Sequence, residues 1–374
     1  MIKKILSFRP TIYDKYIFKQ VLFATIAAIL LFTIVWIAPE MLLNTIKETL
    51  DGRHTVVEAI WILVLALPMI FGKAFPVGLL LGTLFTFDKL SKDSELTIFR
   101  AIGLSFKRII APVIALSFII TIICFITGDK LIPYAENKSF EYDDYDPSIQ
   151  YMYTQKDENN QPVLAVIVSK YKSGMLNNVI VLDFSRVIYD DLHGLTHIYV
   201  AKTGKTFDDR WDLYDVTEYN ISSDGIFVEI AKSPKMKILE GQNASNAFML
   251  MTYSVKKERE INNANMWKYI KLLKQENLDE EYHYMLNKFY QRFFHPFVCV
   301  LLAIMGCLLG FSKPREQRLI GFTIAIGCIF LYYITLPFFD LLAEKGILPP
   351  LITAATPPLA FLGAIFAFYK SKDL

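Results

Sequence analysis

Six long apolar runs limit the possible folds of this sequence more than any other feature. Each is long enough for the roughly 20 helical residues that cross the hydrocarbon core of a bilayer. Over the whole chain 53% of residues are hydrophobic and 20% are charged, a charged fraction below that of a typical soluble domain. The sequence therefore predicts six transmembrane helices. The runs are Ile17–Ala38, Val56–Phe87, Ile109–Thr127, Phe293–Phe311, Leu319–Phe339 and Leu348–Tyr369.

Lysine and arginine residues are concentrated in alternate connectors, and this bias predicts the orientation of the helices. The other two short connectors, Glu40–Glu58 and Asp340–Gly346, carry charges of both signs. Both termini are therefore expected in the cytoplasm, and the long segment between the third and fourth helices outside it. The basic residues that carry this prediction are Lys3, Lys4, Arg9, Lys15, Lys19, Lys89, Lys92, Arg100, Lys107, Arg108, Lys313, Arg315, Arg318, Lys370 and Lys372.

The segment Leu131–Glu281 has the composition of a folded domain outside the membrane. Four short runs are rich in β-branched and aromatic residues: "PVLAVIVSKY", "NNVIVLDFSRVIY", "THIYVAKTG" and "IFVEIAKSPKMKIL". They are separated by turn-rich pieces such as "KSGMLNN". This pattern favours a β-sandwich, jellyroll or barrel. The expected organisation is three helices in residues 1–130, an all-β domain in 131–281 and three helices in 282–374. All four cysteines (Cys124, Cys299, Cys307 and Cys328) lie in apolar runs, so the β-domain has no disulfide candidate.

No pattern in the sequence indicates a catalytic centre, a metal site or a nucleotide site. "TGKT" at Thr203–Thr206 resembles the end of a P-loop, but Tyr199 stands where the first glycine belongs. His193 and His197 have metal-ligand spacing, although across a turn and strand, and "FEYDDYDPS" is better explained as an acidic loop than as a calcium site. We therefore expect no enzyme activity and no cofactor, and a partner must supply energy for any uphill work.

The connector Asp88–Arg108, between the second and third helices, carries the signals of a short helix of its own. Ser91 or Ser94 is expected to cap its start, Asp93 and Glu95 to lie near its positive end, and Gly103 to end it. The helix would run from about Lys92 to Ile102, roughly 16 Å.

The expected connector helix has two apolar edges. Leu96 and Phe99 share one face, and Ile98 and Ile102 lie on a neighbouring one. Such a helix would either lie on the membrane surface or dock into a cytoplasmic ATPase and transmit its motion to the second and third spans.

Two stretches resemble a known family. "LPMIFGKAFPVGLLLGTLFTFDKLSKDSELTIFRAIGLS" (Leu67–Ser105) and "MWKYIKLLKQENLDEEYHYMLNKFYQRFFHPF" resemble the lipopolysaccharide-export permeases of the LptF/LptG type, the YjgP/YjgQ family. The paired prolines and the "SELT…RAIGLS" helix carry the first match. The charged residues that contact lipid in the first span of some members are not matched here.

The resemblance implies a multi-pass permease of the bacterial inner membrane, with a periplasmic β-jellyroll domain between helices 3 and 4. It implies a sister six-span permease or a second copy of this chain, a cytoplasmic ABC ATPase dimer of the LptB type and periplasmic bridge proteins of the LptC and LptA type. Lipopolysaccharide would be drawn from the outer leaflet of the inner membrane and passed on through the jellyroll. The ATPase itself would bind ATP and magnesium, and no nucleic acid is expected.

By the same resemblance, Glu95 is expected to be the main contact with an arginine of the ATPase. The rest of the coupling site would come from neighbouring residues on the connector helix. These are Ser94, Leu96, Phe99 and Arg100.

Lys73 stands out as an ionisable residue inside an apolar run, roughly 22 Å before Asp88 along the helix. It would either extend to the headgroups or face a cavity between two permeases and bind a lipid A phosphate. Lys47, Arg53 and Lys130 would add to this anion site or be merely solvated.

Two other functions compete with lipid extraction. In one, strokes of an ATPase move the outer domain to activate another protein without transporting lipid. In the other, the chain is a lipid-modifying enzyme in the membrane, which the absence of a Ser/His/Asp or carboxylate–histidine cluster disfavours. Lipid crosslinking into the β-domain would separate extraction from mechanical coupling.

Overall fold

The computed structural model describes residues 11–37, 41–139, 151–156, 162–172, 175–184, 197–207, 210–221, 227–240, 242–254, 256–311 and 318–371. The chain divides into two compact units, Met1–Tyr142 with Asp279–Leu374, and Asp143–Leu278. Several residues used above lie outside the described ranges. They include Lys3, Lys4, Arg9, Ala38, Glu40, His193, Lys313, Arg315, Lys372 and "FEYDDYDPS".

Eleven α-helices occur in the described residues. Six of them are long and apolar enough to cross a membrane, one of these together with the shorter helix that follows it. The six predicted runs are therefore confirmed as long apolar helices. The helices are α1 (Ile12–Ile37), α2 (Met41–Leu50), α3 (Val56–Lys92), α4 (Glu95–Ala101), α5 (Phe106–Ile126), α6 (Ile132–Ser139), α7 (Gln242–Ser254), α8 (Asn263–Gln275), α9 (Asp279–Gly310), α10 (Arg318–Glu344) and α11 (Pro350–Ser371). The spans are α1, α3, α5 with α6, α9, α10 and α11.

A π-helical stretch, Thr127–Leu131, joins α5 to α6. The helical run of the third span therefore continues to Ser139, past the expected start of the β-domain at Leu131. Such π-helical turns are rare and often mark functional segments. Lys130 lies in this stretch and is exposed.

Small residues allow α3 to pack closely against α1 and α9. A Cβ added at Gly82 would lie 2.6 Å from the Cα of Thr25 on α1. One added at Gly306 would lie 2.5 Å from the Leu80 carbonyl oxygen of α3. Glycines at such crossings let helix backbones approach, which is a main source of association energy between helices in lipid.

A buried polar network joins α9, α10 and α11. The carboxylate of Asp340 accepts hydrogen bonds from Asn287 at 2.8 Å, Lys288 at 2.6 Å and Gln291 at 2.7 Å. Thr353 of α11 donates to Asn287 Oδ1 at 2.8 Å. Asp340 had been expected in a connector; it lies instead in α10 and is 9% exposed. Since its charge is paired and hydrogen-bonded, the network can hold the three helices together.

The described residues of the second unit form a six-stranded antiparallel sheet in which each strand pairs with its neighbours in sequence. The sheet lies between α6 and α7 in the sequence, which confirms a β-domain inserted among the helices. Helix α7 is an element that the sequence analysis did not predict; Trp211, fully buried, donates from its indole N–H to the Ala244 carbonyl of α7 at 3.2 Å. The strands are β1 (Tyr151–Lys156), β2 (Pro162–Lys172), β3 (Met175–Asp183), β4 (His197–Thr206), β5 (Arg210–Ile221) and β6 (Phe227–Glu240).

One face of the sheet is apolar and buried. Along β3, β4 and β5 the buried residues of this face are two positions apart, except at one place in each strand where they are three positions apart. Asn178 of β3 and Asp215 of β5 lie at this place and have positive φ. The pairing register of β2 to β5 is the same before and after these positions, so the strands bend together here without an inserted residue. The buried pairs on either side of the bend are Leu176 and Val179, Ala201 and Gly204, and Leu213 and Val216.

Candidate functional site

The start of the connector helix α4 differs from the expectation. Helix α3 continues to Lys92, and α4 begins only at Glu95 after Ser94, whose φ of 58° is left-handed. Ser94 makes no side-chain cap, and Ser91 lies buried in the last turn of α3, where its hydroxyl donates to the Gly310 carbonyl at 3.1 Å. Ser94, one of the two predicted caps, therefore does precede the helix, but it lacks the predicted side-chain hydrogen bond. Ser91 is not a cap, because the preceding helix extends through it.

The end of α4 follows the prediction. Gly103 has a φ of +88°. Its N–H donates to the Arg100 carbonyl at 2.9 Å, and the N–H of Leu104 donates to the Phe99 carbonyl at 3.1 Å. These two bonds form a Schellman motif, which needs a left-handed residue and so favours glycine. Helix α4 thus spans Glu95–Ala101, shorter than the expected Lys92–Ile102.

The two faces of α4 have different surroundings, as the sequence pattern predicted. Leu96 is 2% exposed and Phe99 packs against the same apolar cluster, which also contains Ile17 of α1 and Ile109 of α5. Ile98 and Ile102 are 57% and 69% exposed. The inner face therefore attaches α4 to three spans, while the outer face presents apolar side chains to the surroundings.

Helix α1 contributes a contact to α4 that the sequence analysis missed. The Tyr16 hydroxyl lies 3.0 Å from both carboxylate oxygens of Glu95. The ring of Tyr13 meets that of Phe99 edge to face, with centroids 4.7 Å apart, and its hydroxyl donates to the Ile109 carbonyl at 2.9 Å. The first turn of α1 thus contacts both α4 and the start of α5.

An ion pair fixes this same turn of α1. The guanidinium of Arg108 donates to both oxygens of Asp14, at 2.6 and 2.7 Å. Thr11 donates to Asp14 from its backbone N–H and its hydroxyl, each at 2.8 Å. Asp14 is 4% exposed, so the bidentate pair replaces its lost hydration. The "TIYD" pattern could have revealed a helix start by its capping spacing, but nothing local identified Arg108 as the partner.

The remaining residues of the predicted coupling site lie at the border of α4. Arg100 places its guanidinium 5.6 Å from the centre of the Phe311 ring, just beyond the end of α9. Ser94 is exposed in the turn between α3 and α4. Ser94, Glu95, Leu96, Phe99 and Arg100 therefore form one local surface, since they occupy a single short helix and its entry.

The four lysine and arginine candidates for lipid binding lie on different elements. Lys47 is exposed in the last turn of α2, and Arg53 is exposed in the turn that follows. Lys130 lies in the π-helical stretch, which packs against α3. Lys73 is half-buried at the midpoint of α3.

The backbone around Lys73 departs from a regular helix. Pro76 has no N–H, so the Gly72 carbonyl lacks its usual helical partner. His295 of α9 hydrogen-bonds the backbone of Gly72. The Nδ1 atom of His295 lies 2.7 Å from the Tyr332 hydroxyl. Tyr333 donates to the Lys73 carbonyl at 2.9 Å. Side chains of α9 and α10 thus stabilise α3 at its prolines, as is needed inside a membrane.

The other chemistry-bearing patterns form no metal or nucleotide site in the described ranges. No group of three or more histidine, cysteine, aspartate or glutamate residues there could hold a metal ion. His197 pairs with Glu218 at 3.2 Å. "TGKT" lies within β4, so its backbone is extended and does not form a phosphate-binding loop.

Comparison with known proteins supports the resemblance noted in the sequence. The family model described as "Lipopolysaccharide export system permease LptF/LptG" matches residues 15–371, which include nearly all of the six spans and the whole β-domain. No curated protein matches the chain. Given the extent of the family match, the chain belongs to the LptF/LptG family of lipopolysaccharide export system permeases.

Proposed function

We propose that this chain is the membrane-spanning subunit of an ABC transporter that extracts lipopolysaccharide from the inner membrane and passes it to a periplasmic bridge. A separate cytoplasmic ATPase of the LptB type supplies the energy. The observation that carries this proposal is α4, a short helix attached to three spans on one face and exposed on the other. Family membership supports the cargo, and the lysine and arginine bias supports cytoplasmic termini and a cytoplasmic α4.

The packing of α4 suits the transmission of force. Only Asp93 and Ser94 separate it from α3, and its Leu96 and Phe99 side chains pack into the apolar cluster shared with α1 and α5. A displacement of the helix would therefore move the span ends rather than bend a loop. The exposed Ile98 and Ile102 fit an apolar groove of the ATPase, and Glu95 would meet an arginine at its edge.

The β-domain suits an acyl-chain path. Its buried face is formed by valine, alanine, leucine and tyrosine side chains along β2 to β5. We propose that the sheet curves into a jellyroll around the lipid, as in the family that the sequence resembles. Its outgoing partners would be LptC-like and LptA-like proteins, and a sister permease or a second copy would complete the pair.

The lipid headgroup would bind in the outer half of the membrane, between Lys73 and the outer ends of the spans. Lipid A phosphates are anions, and the candidate cations are Lys47 on α2, Arg53 in the turn that follows it, Lys73 on α3 and Lys130 in the π-helical stretch. Lysine binds phosphate as a point charge and so requires no fixed fork geometry. These four residues are therefore the proposed lipid contacts.

The test of the coupling site is capture of the purified ATPase by detergent-solubilised Glu95→Arg and Glu95→Ala. A buried charge-assisted contact contributes about 1.5–3 kcal/mol, so recovery should fall by about tenfold or more. Glu136→Ala is the matched control, because Glu136 lies in α6 at the other end of the α5–α6 run. Undiminished recovery with Glu95→Arg would contradict the assignment.

Reconstitution separates extraction from mechanical coupling. Proteoliposomes that contain the chain, a sister permease, the ATPase and lipopolysaccharide should release lipid to a soluble bridge protein when ATP is added. Movement of the β-domain without lipid release would instead establish the coupler function.

A further inference from the structure

We infer that Tyr16 is a positioning residue of the coupling site, which holds Glu95 until an arginine of the ATPase displaces it. This inference rests on the proposed function, because it concerns the same carboxylate. It adds the first turn of α1 to a site that the sequence had confined to α4.

The geometry of the contact makes Tyr16 and a bidentate arginine alternatives. The Tyr16 hydroxyl is equidistant from the two Glu95 oxygens, at 3.0 Å from each. It therefore lies in the fork between them, which is the position that a guanidinium occupies when it binds a carboxylate with two parallel hydrogen bonds. Both groups cannot occupy that fork at once.

The surroundings of Tyr16 allow its side chain to move away from Glu95. Its side chain is 41% exposed, and Glu95 is half-buried at the start of α4. Tyr13, one turn earlier, is half-buried and contacts both Phe99 and the Ile109 carbonyl. Rotation of Tyr16 away from Glu95 would leave the Asp14–Arg108 pair and the Tyr13 contacts in place.

This arrangement links ATPase docking to α1. If the ATPase binds Glu95 only after Tyr16 has released it, docking favours the state in which the Tyr16–Glu95 hydrogen bond between α1 and α4 is broken. By reciprocity, any event that separates the start of α1 from α4 must raise the affinity for the ATPase by the same factor. The first span would then respond to docking together with the second and third.

The decisive variant is Tyr16→Phe, which removes the hydroxyl and keeps the ring. A hydrogen bond to a charged group at a partly exposed position corresponds to about a three- to tenfold change in equilibrium constant. We expect Tyr16→Phe to bind the ATPase about three- to tenfold more tightly than wild type. In a Glu95→Ala background the same change should have no effect. Tyr134→Phe, an exposed tyrosine on α6, is the control and should bind as wild type does.

Hydrogen exchange without the ATPase tests the contact itself. In full-length chain in detergent, the backbone amides of residues 95–102 should exchange about three- to tenfold faster in Tyr16→Phe than in wild type, whereas Tyr134→Phe should leave them unchanged. Unchanged exchange in Tyr16→Phe, or binding of the ATPase that is equal to or weaker than that of wild type, would overturn the inference.

The two measurements separate the inference from the function on which it rests. If the wild-type chain fails to bind the ATPase, the proposed function and the competition both fail. Faster exchange in Tyr16→Phe would in that case still establish that Tyr16 holds Glu95. If wild type binds and Tyr16→Phe changes nothing, the proposed function stands and Tyr16 has no part in it.

Discussion

At the residue scale, the buried charges of the helical unit show what sequence reasoning can and cannot find. Asp14 and Asp340 each lie against a cation from another part of the chain, Arg108 and Lys288. Arg108 was used in the sequence as a topology signal, and Lys288 was not singled out. The sequence shows that Asp14 and Asp340 are charged, but the cations that pair with them are 94 and 52 residues away. Pairs at that separation depend on the packing of helices.

Lys73 is the residue-scale prediction for lipid handling. Lys73→Ala should slow ATP-dependent lipid release from proteoliposomes about tenfold while leaving complex assembly intact, because the lipid phosphate loses a charge-assisted contact. Lys73→Arg should be milder, since it keeps the charge and changes the geometry. A lysine that only extends to the headgroups predicts the opposite, because alanine suits hydrocarbon better. Lys89→Ala, an exposed lysine on the same helix, is the control, and release at the wild-type rate by Lys73→Ala would refute the cavity role.

At the element scale, long apolar runs were enough to predict the spans, whereas short helices were not fully predictable. The stop at Gly103 was correct because a Schellman motif needs a left-handed residue that few others supply. The predicted start, about Lys92, was too early, because Ser91 and Ser94 are both acceptable caps by type. Ser91 lies within α3, where its hydroxyl donates to the Gly310 carbonyl. A helix terminus is therefore easier to predict from sequence when it needs a particular backbone conformation than when it needs a side-chain hydrogen bond.

The contact between α3 and α9 yields the element-scale prediction. A Cβ at Gly306 would lie 2.5 Å from the Leu80 carbonyl oxygen, and one at Gly310 would lie 2.6 Å from that of Leu84. Since backbone cannot move aside cheaply, Gly306→Ala and Gly310→Ala should each lower the free energy of unfolding in detergent by about 1–3 kcal/mol. Gly327→Ala is the matched control, because a Cβ there meets nothing within 4 Å; it should be neutral or stabilising, since alanine favours helix. Equal melting temperatures for Gly306→Ala and Gly327→Ala would show that α3 and α9 can move apart without a loss of stability.

At the scale of the whole molecule, the order of three spans, a β-domain and three spans was predictable because hydropathy and strand patterns change sharply along the chain. Four of the six strands, β2, β3, β4 and β6, were recognised by their β-branched runs. β1 and β5 were missed. β5, "RWDLYDVTEYNI", alternates polar with apolar residues and lacks the run of valine and isoleucine by which the other strands were recognised. Helix α7 was missed because its apolar face is formed by small and flexible residues, Ala244, Ala247 and Met251, that become buried only in the folded unit.

The last prediction concerns the independence of the second unit. Residues 143–278, excised, should fold as a soluble, strand-rich domain with a cooperative thermal transition, because this unit has its own buried core, including Trp211, Leu213 and Met251. The segment contains no cysteine, so circular dichroism should be the same with and without reductant.

Trp211→Ala should abolish the thermal transition of this domain, since loss of a fully buried aromatic side chain costs about 3–5 kcal/mol, a large share of the stability of a domain of this size. Lys170→Ala, at an exposed position on β2, is the control and should melt as the wild-type domain does. A mainly helical spectrum, or a wild-type domain that melts without cooperativity, would show that the sheet depends on the membrane helices for its fold.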